Sequence, residues 1–264
     1  MPRGDAPAKH GLYCGPHPNP RSTAPRAYIV MDRIDILQRI AEALNARRYL
    51  EIGVSKGETF FPLRIARKVA VDPSPRLSWR KRLRKCFTNP RNFFNTYHFL
   101  TSDDFFARVP PPSGGFDLVF IDGLHTYEQA LRDTLNALKV LKPGGVIALH
   151  DCNPPHGPAA LPAASYEAAA AAKAPGWTGE WCGDVWKAIV HLRAGETALE
   201  VAVLDCDYGV GLVRRGATQA PLKLDIAGLK TWDYAKLAAG RRELLNLKPP
   251  AYLEEWLRVL KKIN

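Results

Sequence analysis

Between residues 48 and 151 the chain alternates short apolar runs with helical patterns, and this alternation most narrows what it can fold into. The runs lie at 48–53, 68–72, 97–100, 116–122 and 146–150. Helical patterns occupy 33–44, where Ile34, Ile36, Leu37, Ile40, Ala41 and Leu44 share one stripe, then 57–66, 76–85 and 126–142. Pro143-Gly144-Gly145 reads as the stop of the last helix, because proline cannot continue a helix and glycine turns the chain. Short runs apolar on both faces, separated by helices, predict a parallel sheet covered on both sides with right-handed crossovers.

After Asp151 the pattern breaks. The Pro- and Ala-rich stretch 153–177 reads as a loop or lid insertion with one short helix. A helix is expected at 183–193. Strands at 199–204 and 209–214, joined by Asp205-Cys206-Asp207-Tyr208, read as a hairpin pair. Helices are expected over 232–247 and 252–263. Residues 1–26 carry six prolines among polar residues and read as a mobile tail, with order beginning near Tyr28. The resulting division is a tail (1–26), a domain over 27–215 and a C-terminal helical extension (216–264). The fold class is α/β: a Rossmann-like, doubly wound, mostly parallel sheet with a final antiparallel strand pair and helices on both faces.

With 46% apolar and 24% charged residues, the chain can build a sizeable core. No apolar run reaches the roughly 18–20 residues of a membrane span. No apolar leader follows Met1. The five cysteines are scattered without a C-x-x-C pair, so a reducing, cytoplasmic setting is expected. The net charge of +11 favours anionic partners without choosing among them.

In open α/β sheets, ligands sit at the carboxyl ends of the strands. Glu51-Ile52-Gly53-Val54-Ser55-Lys56-Gly57 ends the first strand, and its glycines allow close approach of a ligand. The spacing is not G-x-G-x-x-G, which disfavours a pyrophosphate cradle. Asp72 ends the next strand and suits two ribose hydroxyls. Asp122 and His125 follow the clearest strand, and His150-Asp151 follows the fifth. Adjacent parallel strands lie about 4.8 Å apart, so these four can meet. Two carboxylates with an imidazole suit Mg²⁺ or Mn²⁺, and a spare imidazole suits a general base.

At these residues the sequence resembles class I S-adenosylmethionine-dependent methyltransferases. It is most similar to a bacterial family with Tyr49-Leu50-Glu51-Ile52-Gly53-Val54, then Val71-Asp72-Pro73, then a long motif from Phe116 to Asp151. Gly183-Asp184-Val185-Trp186-Lys187-Ala188 and Asp205-Cys206-Asp207-Tyr208-Gly209 also look like that family. The resemblance implies that Glu51, Gly53 and Gly57 shape the pocket for methionine and ribose. It implies that Asp72 holds the ribose, that Ser102 and Asp103 border the adenine, and that Asp122 lies at the reaction centre. From metal-dependent sugar O-methyltransferases it implies Asp122 and Asp151 as cation ligands, joined by His150, and His125 as the base. His150 stands where those relatives can carry an acid, which leaves fewer carboxylates for a cation.

The implied activity is O-methylation of a small-molecule or sugar hydroxyl with S-adenosylmethionine, with Mg²⁺ or Mn²⁺ assisting. Two other readings stay open: methylation of RNA or another polyanion, and a non-catalytic cofactor-binding protein. The run Arg80-Lys81-Arg82-Leu83-Arg84-Lys85 beside Trp79 and Phe87 suits nucleic acid, and equally a solvated helix face. A homo-oligomer also stays open. Cys152 reads as a small core residue. Trp177, Trp181 and Trp186 read as core or as the wall of an acceptor pocket.

Overall fold

Asp32 caps the first helix: its side chain accepts a hydrogen bond from Asp35 N, and the apolar stripe Ile36, Leu37, Ile40 and Ala41 of α1 (Arg33–Ala43) is buried. The structure, a computed structural model, describes residues 31–218 and 220–263; the expected tail over 1–26 and the onset near Tyr28 lie outside the described residues. The chain continues through β1 (Arg48–Ile52), β2 (Arg67–Val71), α2 (Trp79–Thr88), β3 (Thr96–His98), α3 (Ser102–Arg108) and β4 (Phe116–Ile121). Then come α4 (Tyr127–Val140), β5 (Leu141–Leu149), α5 (Tyr166–Ala171), α6 (Trp186–Gly195), β6 (Leu199–Leu204) and β7 (Val210–Arg215). Last are α7 (Tyr234–Leu245), β8 (Leu247–Lys248) and α8 (Tyr252–Ile263).

These strands form one sheet in the order β3-β2-β1-β4-β5-β7-β6-β8. Strands β1 to β5 are parallel, and β7 runs antiparallel to both β5 and β6. The strand order reverses between β1 and β4, the place where open α/β sheets bind ligands. Alternate residues serve opposite faces. Leu50, Ile52, Val119, Ile121, Ile147 and Leu149 pack with Trp186 and Ile189 of α6. Tyr49, Leu118, Phe120, Val146 and Ala148 pack with the α1 stripe and with Leu253 and Trp256 of α8. Each such fully buried aliphatic side chain contributes about 1.5–3 kcal/mol. No helix among the described residues is long and apolar enough to cross a membrane.

Four local expectations change. The helix expected over 57–66 is a series of turns. Pro62 lacks an N–H, and the carbonyls that a helix would use are taken by side chains. Lys68 Nζ donates to the oxygens of Phe60 (2.6 Å) and Leu63 (2.9 Å), and Asn89 Nδ2 donates to those of Phe61 and Leu63 (both 3.0 Å). Pro143-Gly144-Gly145 does not separate helix from strand by a loop; it lies inside β5 as an irregularity, where the register with β4 shifts between Phe116 and Leu118. Helix α3 was not expected. Nor was β8, which pairs in parallel with β6 and brings the expected C-terminal extension into the sheet.

Candidate active site

The carboxyl ends of β1, β2 and β4 open into a cavity of about 830 Å³. Glu51, Gly53 and Asp72 line it from the first two strands; Ser102 and Asp103 line it from α3, and Asp122 and His125 from the loop after β4. Its volume falls in the range that takes a small ligand or cofactor. Gly57, expected in the pocket, does not line it; a Cβ there would meet the Phe61 ring at 2.5 Å, so this glycine serves the packing of the turns. Gly53 has φ +84°, and a Cβ on it would lie 2.0 Å from the Asp122 carbonyl oxygen. The close approach that demands glycine is thus between two strand-end loops.

Asp72 is fixed through both oxygens: Oδ2 accepts from Ser55 N (2.7 Å) and Oδ1 from Ser74 N (2.8 Å). Each oxygen keeps a further lone pair for a ligand hydroxyl. Glu51 is buried and accepts from Tyr49 OH at 2.5 Å. Burial pushes its carboxyl up to about 8, which leaves it neutral at pH 7. The Gln129 amide donates to Ser102 Oγ (3.0 Å) and to Asp133 Oδ1 (2.9 Å), tying α3 to α4. Buried Asp133 lines the cavity with Oδ2 unpaired, and burial raises its carboxyl to about 6.

Asp122, His125, His150 and Asp151 meet as the strand spacing predicts. His125 Nε2 lies 3.4 Å from Asp122 Oδ1, and its Nδ1 lies 3.3 Å from Asp151 Oδ2 and 3.0 Å from the Trp181 carbonyl oxygen. The Trp181 indole stacks on the His125 ring at 4.9 Å between centroids. His150 Nδ1 is 3.1 Å from Asp151 Oδ2 and 3.5 Å from Asp122 Oδ1. Burial alone would lower both imidazoles, but the charges of Asp151 and Asp122 outweigh it. His125 rises to about 9, and His150 well above its ordinary value. Burial would raise Asp122, yet His150 and His125 together bring it below the usual carboxylate range.

Surrounding residues fix this cluster. Asp151 takes a left-handed conformation (φ +59°), uncommon outside glycine, and the chain after it bonds Cys152 N to Gly209 O (3.0 Å) and Asn153 N to Tyr208 O (2.7 Å). Asp207 Oδ1 lies 3.5 Å from His150 Nε2, and Arg33 bonds to Asp207. A Cβ on Gly183 (φ +59°) would lie 1.9 Å from His125 O, so only glycine lets the segment before α6 press on that loop. Its neighbour Asp184 accepts from Tyr127 N at 2.7 Å, capping α4 where Thr126 makes no side-chain cap bond.

Sequence reasoning missed the roles of Arg33, Gln129 and Asp133, which had no local signal. It noted Asp207 and Trp181 only as motif and aromatic residues. Of the tryptophans, Trp181 lines the cavity while Trp186 is core. Cys152 is fully buried, and burial raises its thiol to about 12.

The donor set fits a divalent cation. Asp122, His125 and Asp151 each offer one ligand atom, all within 4.8 Å of one another. His150, expected to join the two carboxylates, has its Nδ1 equally close to them. Buried His150 Nδ1 stands beside the carboxylates without an aligned hydrogen bond.

Residues 50–152 match the model of a family described as a methyltransferase domain. No curated protein matches the chain. Among solved structures, the O-methyltransferase TomG from Streptomyces achromogenes, involved in tomaymycin synthesis and in complex with SAM, is 17% identical. That match covers 70% of this chain and 80% of the other, with a TM-score of 0.50, and the likeness is one of fold. A putative O-methyltransferase from Klebsiella pneumoniae is 14% identical over 73% of this chain and 94% of its own, with a TM-score of 0.47. The O-methyltransferase from Bacillus cereus in complex with SAH is 17% identical over 69% and 80%, with a TM-score of 0.45.

Proposed function

We propose that this chain, which has the Rossmann-like fold of class I methyltransferases and a methyltransferase domain over residues 50–152, transfers the methyl group of S-adenosylmethionine to a hydroxyl of a small molecule or sugar. The observation that carries the reading is one cavity lined by both an anchored Asp72 and the Asp122–His125 pair. Bound S-adenosylmethionine supplies an electrophilic methyl on a sulfonium.

The residues divide the remaining work. Asp72 accepts the ribose hydroxyls. Gly53 and neutral Glu51 wall the methionine end, where a second full anion is avoided. Ser102 and Asp103, steadied by Gln129, border the base. Asp122 lies where the sulfonium loses its charge. Transfer needs the acceptor oxygen in line with the methyl at about 3–3.5 Å. His125 is the group that takes the hydroxyl proton. As the cluster stands, its ring is charged and balances two carboxylates. A divalent cation held by the carboxylates of Asp122 and Asp151 would supply that counter-charge, so that the His125 ring could stand neutral and accept a proton, and would lower the pKa of a hydroxyl bound to it. Trp181, stacked on His125, excludes water beside the base. The free buried cysteines accord with a reducing, cytoplasmic setting.

Calorimetry with S-adenosylmethionine, followed by methyl transfer to a panel of sugar and phenol acceptors, tests the reading. Absence of cofactor binding at high micromolar concentration overturns it.

A further inference from the structure

Helix α2 is amphipathic the wrong way round for a core helix. Trp79, Leu83 and Phe87 recur every four residues and so share one stripe. That stripe is in solvent: Trp79 is 63% exposed and Phe87 76%. Cys86 is the buried residue of the helix. The turn Pro90–Phe94 adds Phe93 and Phe94, with Phe93 edge-on to Phe87 at 6.4 Å between centroids, and Phe99 follows β3 at the sheet edge. Exposed apolar side chains gathered on one helix stripe, the turn after it and the sheet edge mark an interaction site.

The charge around it has one sign. No residue from 73 to 102 is acidic. None of Arg80, Lys81, Arg82, Arg84, Lys85 or Arg91 forms an ion pair with a described residue. Arg80 lies over Trp79, and Arg82 over Tyr97.

We propose that the face formed by α2, the Pro90–Phe94 turn and Phe99 docks on an anionic lipid bilayer. Trp, Leu and Phe on one side of a helix with Arg and Lys beside them is the pattern of a helix that lies in the membrane interface. The apolar side chains enter the headgroup boundary, and the cations, without an ion pair among the described residues, meet anionic lipid. Charge decides against a second copy of the chain, because it would set two all-basic surfaces face to face. Single-stranded nucleic acid also meets cations and aromatics. However, Leu83 offers no ring to stack on and Phe93 meets Phe87 edge-on rather than as a stacking platform, whereas all of these side chains gain from hydrocarbon.

Co-sedimentation of the full chain tests the proposal, with vesicles of equal parts phosphatidylglycerol and phosphatidylcholine against vesicles of phosphatidylcholine alone. Binding to the anionic vesicles is expected to be at least about tenfold tighter and to weaken as salt shortens the Debye length. The double variant F87S/F94S is expected to lose about tenfold or more of it while melting like the wild type, because two phenyl groups no longer leave water. R84E/K85E is expected to lose binding to the anionic vesicles. Any of these results overturns the proposal: no vesicle binding, equal binding to both vesicles, wild-type binding by F87S/F94S, or tighter binding to single-stranded RNA than to vesicles. A homodimer that F87S/F94S splits also overturns it.

Discussion

Arg33 and Asp207, 174 positions apart, are joined by three hydrogen bonds: Arg33 N donates to Oδ2 (2.8 Å), and Arg33 Nη1 donates to Oδ1 (3.1 Å) and Oδ2 (3.0 Å). The start of α1 is thereby tied to the β6–β7 turn, directly behind His150. Removing one partner strands the other in a mostly buried place. Asp207→Ala is expected to cost about 2–3 kcal/mol, somewhat less than for a fully buried pair. Urea denaturation measures it, and an unchanged midpoint would show that the pair holds nothing.

If His125 is the base proposed above, its loss separates binding from turnover. His125→Ala is expected to bind S-adenosylmethionine as the wild type does and to lose about 10²–10⁴-fold in kcat. Calorimetry and initial rates together read the split; surviving turnover removes His125 from the chemistry.

Glu51 sets a pH dependence of stability. Its folded-state value, about 8, lies above its ordinary 4.5. Between those values the folded chain holds more protons than the unfolded one, so unfolding free energy falls as pH rises. This contribution is fully present below about 4.5 and lost as pH passes 8. Glu51→Gln is expected to flatten the decline, by on the order of a few kcal/mol across the window. Melting temperatures of both proteins from pH 5 to about 9 test it, and parallel curves contradict it.

A methyl group on Gly53 would meet the Asp122 carbonyl. Gly53→Ala is expected to destabilise by at least about 1–2 kcal/mol from its positive φ alone. It should also weaken cofactor affinity, since the two loops must part.

If Asp122 and Asp151 hold a divalent cation, a chelator abolishes turnover and added Mg²⁺ or Mn²⁺ restores it. Asp151→Asn should then raise the Mg²⁺ concentration needed by about tenfold or more, because one anionic ligand is lost. Chelator-resistant activity would leave proton transfer to the side chains alone.

The parts of the fold that could be read in advance are those in which one segment determines its own state. β4 is buried along its whole length, so its apolar run could only be a central strand. The turns over 57–66 could not be read, because Lys68 and Asn89 decide them from outside the segment. Pro143-Gly144-Gly145 looked like a stop because its irregular pairing with β4 is a cross-strand fact. In the site, residues directly after strands announced themselves by position. Those that hold them in place did not: Arg33 reaches across the sheet, Asp133 depends on a helical neighbour, and Trp181 comes from a stretch with weak patterning.

The single reversed strand has a further consequence. With β7 running against its neighbours, the β6–β7 turn opens on the same rim as β1, β4 and β5, yet it lies outside residues 50–152, which match the methyltransferase-domain model. The turn at 205–209 therefore reaches the rim from outside that segment and grips it, through Arg33 and through the N–H groups of Cys152 and Asn153. Exchanging it is expected to disturb the groups around His150 while the pairing of β1, β2 and β4 stays in place, so a change here reaches that cluster without passing through the first half of the sheet.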